Sequence, residues 1–264
     1  MIAIGYFMRL RITSTALIIC LALSGFGLRG AGNACAASRD DQKTDEVARE
    51  LGRLKSQSSA ERRDAIDKLV ETEDQRAVEP IIAALKDTDA EVRATAANGL
   101  GVLGDKRAVE PVIALLKDDI AFVRSAAARV LGQLNDGRAV DPLILALKDT
   151  NSSVCSAAAM GLGSLKDARA VPALLPLVRE QSPDIRAAAV AALGDLRDKR
   201  AVEPLILLLK DESTMVKLAA ALALADIGDK RAVAALGEAV TNEKDEEVRS
   251  QMKEALRRLT AAPD

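Results

Sequence analysis

The sequence contains no histidine and no tryptophan, one tyrosine (Tyr6) and three phenylalanines among its 264 residues. The missing histidine excludes imidazole metal ligands, imidazole general bases and every Ser-His or Cys-His catalytic pair. With so few aromatics, the 49% hydrophobic share rests on Ala, Leu, Val and Ile. Such a core packs by close approach of small side chains, and an array of stacked helices fits it better than one large single-core domain. Cysteine is scarce as well: Cys20 and Cys35 lie within the first 36 residues and Cys155 stands alone in the rest. An internal disulfide is therefore excluded once that leading segment is removed. Positive charge is not in excess. Lys and Arg number 37 against 39 Asp and Glu, and residues 1–36 contribute three Arg and no acid. The remainder carries a net charge of −5, which disfavours a role resting on phosphate neutralisation.

The leading residues read as a targeting segment. Arg9 and Arg11 precede the apolar run Ala16–Leu23, and Ala34-Cys35-Ala36 offers an A-x-A cleavage site before Ala37. This is the pattern of a secretory signal peptide. A retained anchor is the alternative, since residues 12–28 form a 17-residue stretch of marginal spanning length. The expected location is therefore periplasmic or extracellular, with inner-membrane anchoring by residues 12–28 as the other possibility. Residues 37–44 are polar and read as a flexible lead-in.

What the sequence has in abundance is repetition. Arg-Ala-Val-Glu-Pro occurs at 76–80, 107–111 and 200–204, with Asp141 in place of Glu at 138–142 and weaker copies at Arg169 and Arg231. The step is 31 residues each time, the signature of a repeat array. Val47, Leu51, Leu54 and Lys55 extend the register one unit earlier, giving seven units: 45–75, 76–106, 107–137, 138–168, 169–199, 200–230 and 231–262. Within 76–106, Val78, Ile81, Ile82 and Leu85 mark one helical face and Val92, Ala96, Leu100 and Leu103 mark a second. Each unit thus reads as two short helices, and strand-type alternation is absent.

Local signals recur with the same step. Ser58, Asp89, Asn151, Ser182, Ser213 and Asp245 stand where N-caps of the second helices belong, and Ser58 with Glu61 spells a capping box. Ile120 occupies that place in the third unit, so its second helix is expected to start less firmly. Pro80, Pro111, Pro142 and Pro204 fall near the start of the first helix; Pro172 and Pro176 break this pattern and predict a kink in the fifth unit. Gly101, Gly132, Gly163 and Gly194 share one place late in the second helix. Glycine there costs about 0.5–1 kcal/mol relative to alanine, so its recurrence predicts close backbone contact with a neighbour. The first and last units are far more charged than the middle ones, as terminal repeats need polar outer faces.

A unit of the form xRAVxPLIxxLKD followed by xxVRxxAAxALGxLGD resembles the HEAT repeat, and most of all the short HEAT-like repeat named for phycobilisome lyases, over residues 45–262. The resemblance implies an all-α, right-handed α-solenoid, with first helices on the convex face and second helices on the concave one. It also implies binding of a protein or peptide on the concave surface. It further implies a structural ladder linking adjacent units, in which an Asp after the first helix pairs with an Arg in the second. The residues concerned are Asp87 with Arg93, Asp118 with Arg124, Glu180 with Arg186 and Asp211 with Lys217. Cys155 opposite Asp149, and Asn242 before Arg249, predict a weakened ladder in units four and seven.

No catalytic constellation, metal site or cofactor site is visible, and an enzyme is not expected. Cys155 sits near a helix N-terminus, where a lowered pKa and a reactive thiol are conceivable, but no partner base exists. The informative positions are those where the repeat stops repeating. Phe122, Met160, Met215, Leu218 and Leu222 place apolar groups on the second-helix face, with Arg129 beside them as a polar anchor. They form a candidate partner site. The competing reading is that they fill gaps between helices. The expected function is a non-catalytic, monomeric interaction scaffold; an accessory factor to an enzyme is the alternative. Nucleic acid is not an expected partner, and the membrane is one only through the leading segment.

Overall fold

The computed structural model describes residues 44–261; the leading segment and almost all of the lead-in lie outside the described residues. Among the described residues every regular element is helical. The chain opens with α1 (44–53) and α2 (Ser59–Glu71), followed by α3 (Val78–Ala84) with α4 (Ala90–Leu103) and α5 (Val109–Ala114) with α6 (Ala121–Leu134). The pairs α7 (Val140–Ala146) with α8 (Ser152–Leu165) and α9 (Val171–Leu174) with α10 (Pro183–Leu196) follow. The last are α11 (Val202–Leu208) with α12 (Thr214–Ile227) and α13 (Val233–Asn242) with α14 (Glu246–Ala261). Consecutive helices pack and the pairs stack as an α-solenoid, with a continuous core running through all of them. Leu100, Leu131, Leu162, Leu193 and Leu224 are fully buried at the same place in successive second helices.

The Arg-Ala-Val motif has a defined local role. Asp74, Asp105, Asp136, Asp167, Asp198 and Asp229 cap a 3-10 turn, each accepting the backbone N–H of the Arg two residues on, at 2.8–3.1 Å. That Arg then folds its guanidinium back onto the same carboxylate. The clasp fixes the corner between one unit and the next. Its Arg also reaches the acid of the preceding unit, as in Arg107–Glu79 at 3.1 Å, Arg138–Glu110 at 3.5 Å, Arg169–Asp141 at 3.3 Å and Arg231–Glu203 at 3.4 Å. Arg200 lacks this second contact, because Pro172 stands where the acid would be.

The ladder is offset by one unit from the pairing the resemblance implies. The Asp87 carboxylate does not pair with Arg93; it receives Arg62 at 2.7 Å, while Arg93 reaches Asp118 and Arg124 reaches Asp149, each at 2.7 Å. Arg186 takes Asp211 at 2.8 Å rather than Glu180, and Lys217 takes Glu243 rather than Asp211. The reason is geometric. Each Arg spends Nη1 on the carbonyls of its own unit, Asp87 and Thr88 for Arg93, so its fork points across the junction. The receiving Asp also accepts a backbone N–H two residues on, from Asp89, Ile120, Asn151 or Ser213. Unit four is therefore broken on its far side. Asp149 keeps its Arg, and Glu180 is the carboxylate without one among the described residues. Unit seven is not weakened: Glu243, one residue past Asn242, supplies the carboxylate.

Other local expectations divide. Asp89, Asn151 and Asp245 cap through their side chains, whereas Ser182 and Ser213 make no side-chain cap bond. In the third unit the Asp118 carboxylate holds the Ile120 N–H and supports a helix start that has no polar cap. The capping box is half formed, since Glu61 donates its N–H to Ser58 but turns its carboxylate to Ser56. The fifth unit departs as its prolines require, with α9 giving way after four residues to a 3-10 segment, Leu175–Arg179.

The clasps and ladder make stability acid-sensitive. The fork of Arg138 and then its backbone N–H pull the Asp136 carboxyl down to about 2, and Arg231 does the same to Asp229, also to about 2. Arg62, Arg93 and Arg124 hold Asp87, Asp118 and Asp149 below the ordinary carboxylate value. A carboxylate depressed in the folded state contributes stability above its unfolded pKa and loses it as pH falls through the folded one. Thermal melts should therefore lose stability from about pH 4 downward towards pH 2, starting from the unfolded Asp value. With no histidine to titrate, the melting temperature should hardly move between about pH 5.5 and 8. A steep change within that neutral window would contradict this assignment.

Candidate functional site

The second helices approach one another at backbone distance. A Cβ added at Gly132 would lie 2.7 Å from Gly161 Cα, one at Gly163 would lie 2.8 Å from Ala192 Cα, and one at Gly194 would lie 2.9 Å from Ala223 Cα. The glycine column is thus the seam along which these helices meet. The first helices are held further apart and leave grooves between them, of about 670 Å³ between α1 and α3 and about 330 Å³ between α5 and α7. Closer spacing on one side curves a stack towards that side, so the second helices line the inner surface.

On that surface Phe122, Met160, Met215 and Leu222 are between 40% and 59% exposed. They project from α6, α8 and α12, on three of four consecutive second helices. Leu218 does not join them: it is half-buried and packs against the core, because its column, with Ala94 and Ala187, turns towards the neighbouring helix. Arg129 is exposed and donates from Nη2 to Asn98 Oδ1 at 2.6 Å, a bond that orients the guanidinium along the face. A cleft of about 540 Å³ opens beside it across α6, α8 and the start of α10, with Gln133, Ser156, Met160 and Asp184 in its walls. Gln133 stands one helical turn past Arg129 in α6 and was not marked by the sequence.

The titratable groups among the residues lining the cleft are Arg129 and Asp184. Among the described residues no group of three or more Cys, Asp or Glu is placed to hold a metal ion. Cys155 behaves opposite to the reactive thiol that its sequence position allows. It is buried, its Sγ donates to the Asp149 carbonyl at 2.9 Å, and burial followed by the nearby Asp149 charge pushes its pKa up. A raised pKa leaves less thiolate, the reactive form.

A family model for HEAT repeats matches three overlapping stretches, residues 47–129, 121–183 and 172–257. The chain belongs to the HEAT-repeat family. No curated protein matches its sequence. Among solved structures, this HEAT-repeat protein is similar to a chain of the CpcE–CpcF complex of phycocyanin lyase from Nostoc sp. The identity is 26%, 78% of this chain and 85% of that one are covered, and the TM-score is 0.55. An engineered protein matches at 24% identity over 70% of this chain and 97% of its own, with a TM-score of 0.54. Kap95p, solved with RanGDP, matches at 14% identity over 88% of this chain and 37% of that one, with a TM-score of 0.65. The last two likenesses are of fold.

Proposed function

We propose that this HEAT-repeat protein is a non-catalytic scaffold whose inner, second-helix face binds a protein or peptide. The observation that carries the reading is the exposure of Phe122, Met160, Met215 and Leu222 on one face of stacked helices, with Arg129 and Asp184 as polar neighbours. Isolated exposed apolar residues are ordinary, whereas several on one face beside a cleft mark a contact surface. The leading segment supports an exported protein, acting in the periplasm or outside, or held at the inner membrane by residues 12–28. Among the described residues no helix is long and apolar enough to cross a membrane.

The test is a double variant, Phe122→Ser with Met215→Ser. Proteins captured by the wild-type chain from the exported fraction should be lost, with the melting temperature within about 2 °C of wild type, as for surface substitutions. Retained capture would remove the inner face as the site, and a large drop in melting temperature would show that these residues pack rather than bind. A second reading, an accessory factor to an enzyme, draws on the likeness to the phycocyanin lyase complex. It requires the captured partner to be an enzyme whose activity depends on this chain.

A further inference from the structure

The outward face of the first helices carries a second pattern, independent of the inner face. In α3 the exposed residues are Glu79 and Ala83, with Lys86 just beyond the helix end. The same places hold Glu110, Ala114 and Lys117, then Asp141, Leu145 and Lys148, then Pro172, Pro176 and Arg179, then Glu203, Leu207 and Lys210. The acids at the start of this face share the clasp arginines of the next unit with the aspartates that clasp them, so each trio keeps a net negative charge. The cations at its end are freer. Among the described residues Lys55, Lys86, Lys117, Lys148 and Arg179 take part in no ion pair; in this row only Lys210 does, with Glu238. A cation at a helix C-terminus is favoured by the helix dipole, which accounts for its sign at each end. The dipole does not account for a free row continued over five units of a chain that is acidic overall.

Apolar surface accompanies the row. Leu145 and Leu207 are 70% and 69% exposed, more than any residue of the inner strip, and Pro176 stands exposed between them. The groove between α5 and α7 has Ile113, Leu116, Pro142 and Ala146 along its walls and Lys117 and Lys148 among its lining residues. The groove between α1 and α3 repeats the plan with Leu51, Leu54, Pro80, Lys55 and Lys86. Two apolar clefts thus lie along the row with lysines at their edges, and the cations themselves recur at the spacing of the repeat, about 8–10 Å for packed helices.

We propose that this outer row binds an extended acidic segment of a partner protein, with carboxylates against Lys86, Lys117, Lys148 and Arg179 and apolar side chains seated in the grooves between first helices. The charge complementarity names the partner's sign. Its shape follows from the acids on the same face. Glu79, Glu110, Asp141 and Glu203 stand seven residues before the cations, roughly 10 Å along the helix. A broad anionic surface such as a bilayer would press on both rows, whereas one strand can follow the cations alone. A polyproline II chain rises about 3.1 Å per residue and turns once in three residues, so every third side chain faces the protein again at about the spacing of the repeat.

The probe is a fluorescein-labelled peptide of repeated Glu-Glu-Leu triplets, its binding to the intact chain followed by anisotropy at low salt. It should bind, weaken as salt is raised, and lose about tenfold in affinity in the Lys117→Gln/Lys148→Gln variant, as expected for two exposed ion pairs. A Lys-Lys-Leu peptide should not bind, and an all-Glu peptide should bind more weakly. The Phe122→Ser/Met215→Ser variant should bind the probe unchanged, so that loss of the inner-face reading leaves this one standing. Equal affinity of the Lys117→Gln/Lys148→Gln variant, no binding at all, or binding only to phosphatidylglycerol vesicles would each overturn the proposal. Both Lys side chains are exposed and unpaired, and unaltered circular dichroism melts would show that the variant is folded.

Discussion

Replacing Gly132 with alanine is expected to destabilise the protein by about 3 kcal/mol, against the ordinary preference of helices for alanine. The sign is decided by space. A Cβ at this place would lie 2.7 Å from Gly161 Cα and 3.3 Å from the Gly161 carbonyl oxygen, and backbone atoms have no rotamer through which to withdraw. The two second helices would have to part, opening the core on both sides of the seam. In a chain of this length that corresponds to a fall of roughly 6–12 °C in melting temperature. Gly163→Ala and Gly194→Ala meet Ala192 and Ala223 in the same way. Gly99→Ala meets only the Val70 and Ile66 side chains and should cost less. The control is Gly52→Ala. Gly52 is helical, with nothing within 4 Å of the added carbon, so alanine there should stabilise by up to about 1 kcal/mol. If Gly132→Ala and Gly52→Ala moved the urea midpoint in the same direction, the seam would not be a backbone contact.

That seam was legible in the sequence, because a glycine kept at a helical place in four units has a cost that only close approach offsets. The solenoid was legible for the same reason: period, caps and apolar faces all agree. The ladder was legible in its residues but not in its connectivity. Asp87 and Arg93 are close in sequence, and nothing in a one-dimensional pattern shows that Nη1 is taken by local carbonyls, which sends the fork to Asp118. Arg62 was missed, although it stands 31 residues before Arg93, because the register of the first unit was followed only through its first helix and the Ser58 cap. Glu50 was missed too. It is buried at the place of the core residues Ile81, Val112 and Leu143, held by Arg49 at 2.9 Å and Arg53 at 2.7 Å. On the inner face four of the five apolar residues are exposed, and the sequence could not separate Leu218 from them. One residue along a helix is a turn of about 100°, enough to move a side chain from surface to interface.

The fifth unit is where both ladders fail, and it is expected to open first. Cys155 leaves Glu180 without an arginine at the junction before it, and Pro172 leaves Arg200 without an acid at the junction after it. Its first helix is also the one that prolines convert largely to 3-10 turns. In a stack held by nearest-neighbour interfaces, local stability follows the weakest junctions. Native-state hydrogen exchange should therefore be faster for Val171–Arg179 than for the matching segments of units four and six.

Two variants test the cause from opposite sides. Arg186→Met removes the fork from Asp211, a pair in which each side chain is 8% exposed. Burial pulls the Asp211 carboxyl upward, and the Arg186 fork together with the Ser213 N–H more than offsets that pull, keeping it below its usual value. Losing the fork should cost on the order of 2–4 kcal/mol, because the carboxylate is left buried and unpaired. Cys155→Arg with Glu180→Asp does the reverse. Glu180 has φ −64° and ψ 151°, close to the −61° and 144° of Asp118, so the receiving backbone is already set for a rung. The new Arg can take the Asp149 carbonyl that Cys155 Sγ now holds. The double substitution should raise the urea midpoint, by an amount equivalent to about 1 kcal/mol, and slow exchange in Val171–Arg179 while leaving Val78–Ala84 unchanged. Were exchange in Val171–Arg179 to stay as fast, the prolines alone would account for the weakness of unit five and the missing rung would contribute nothing to it.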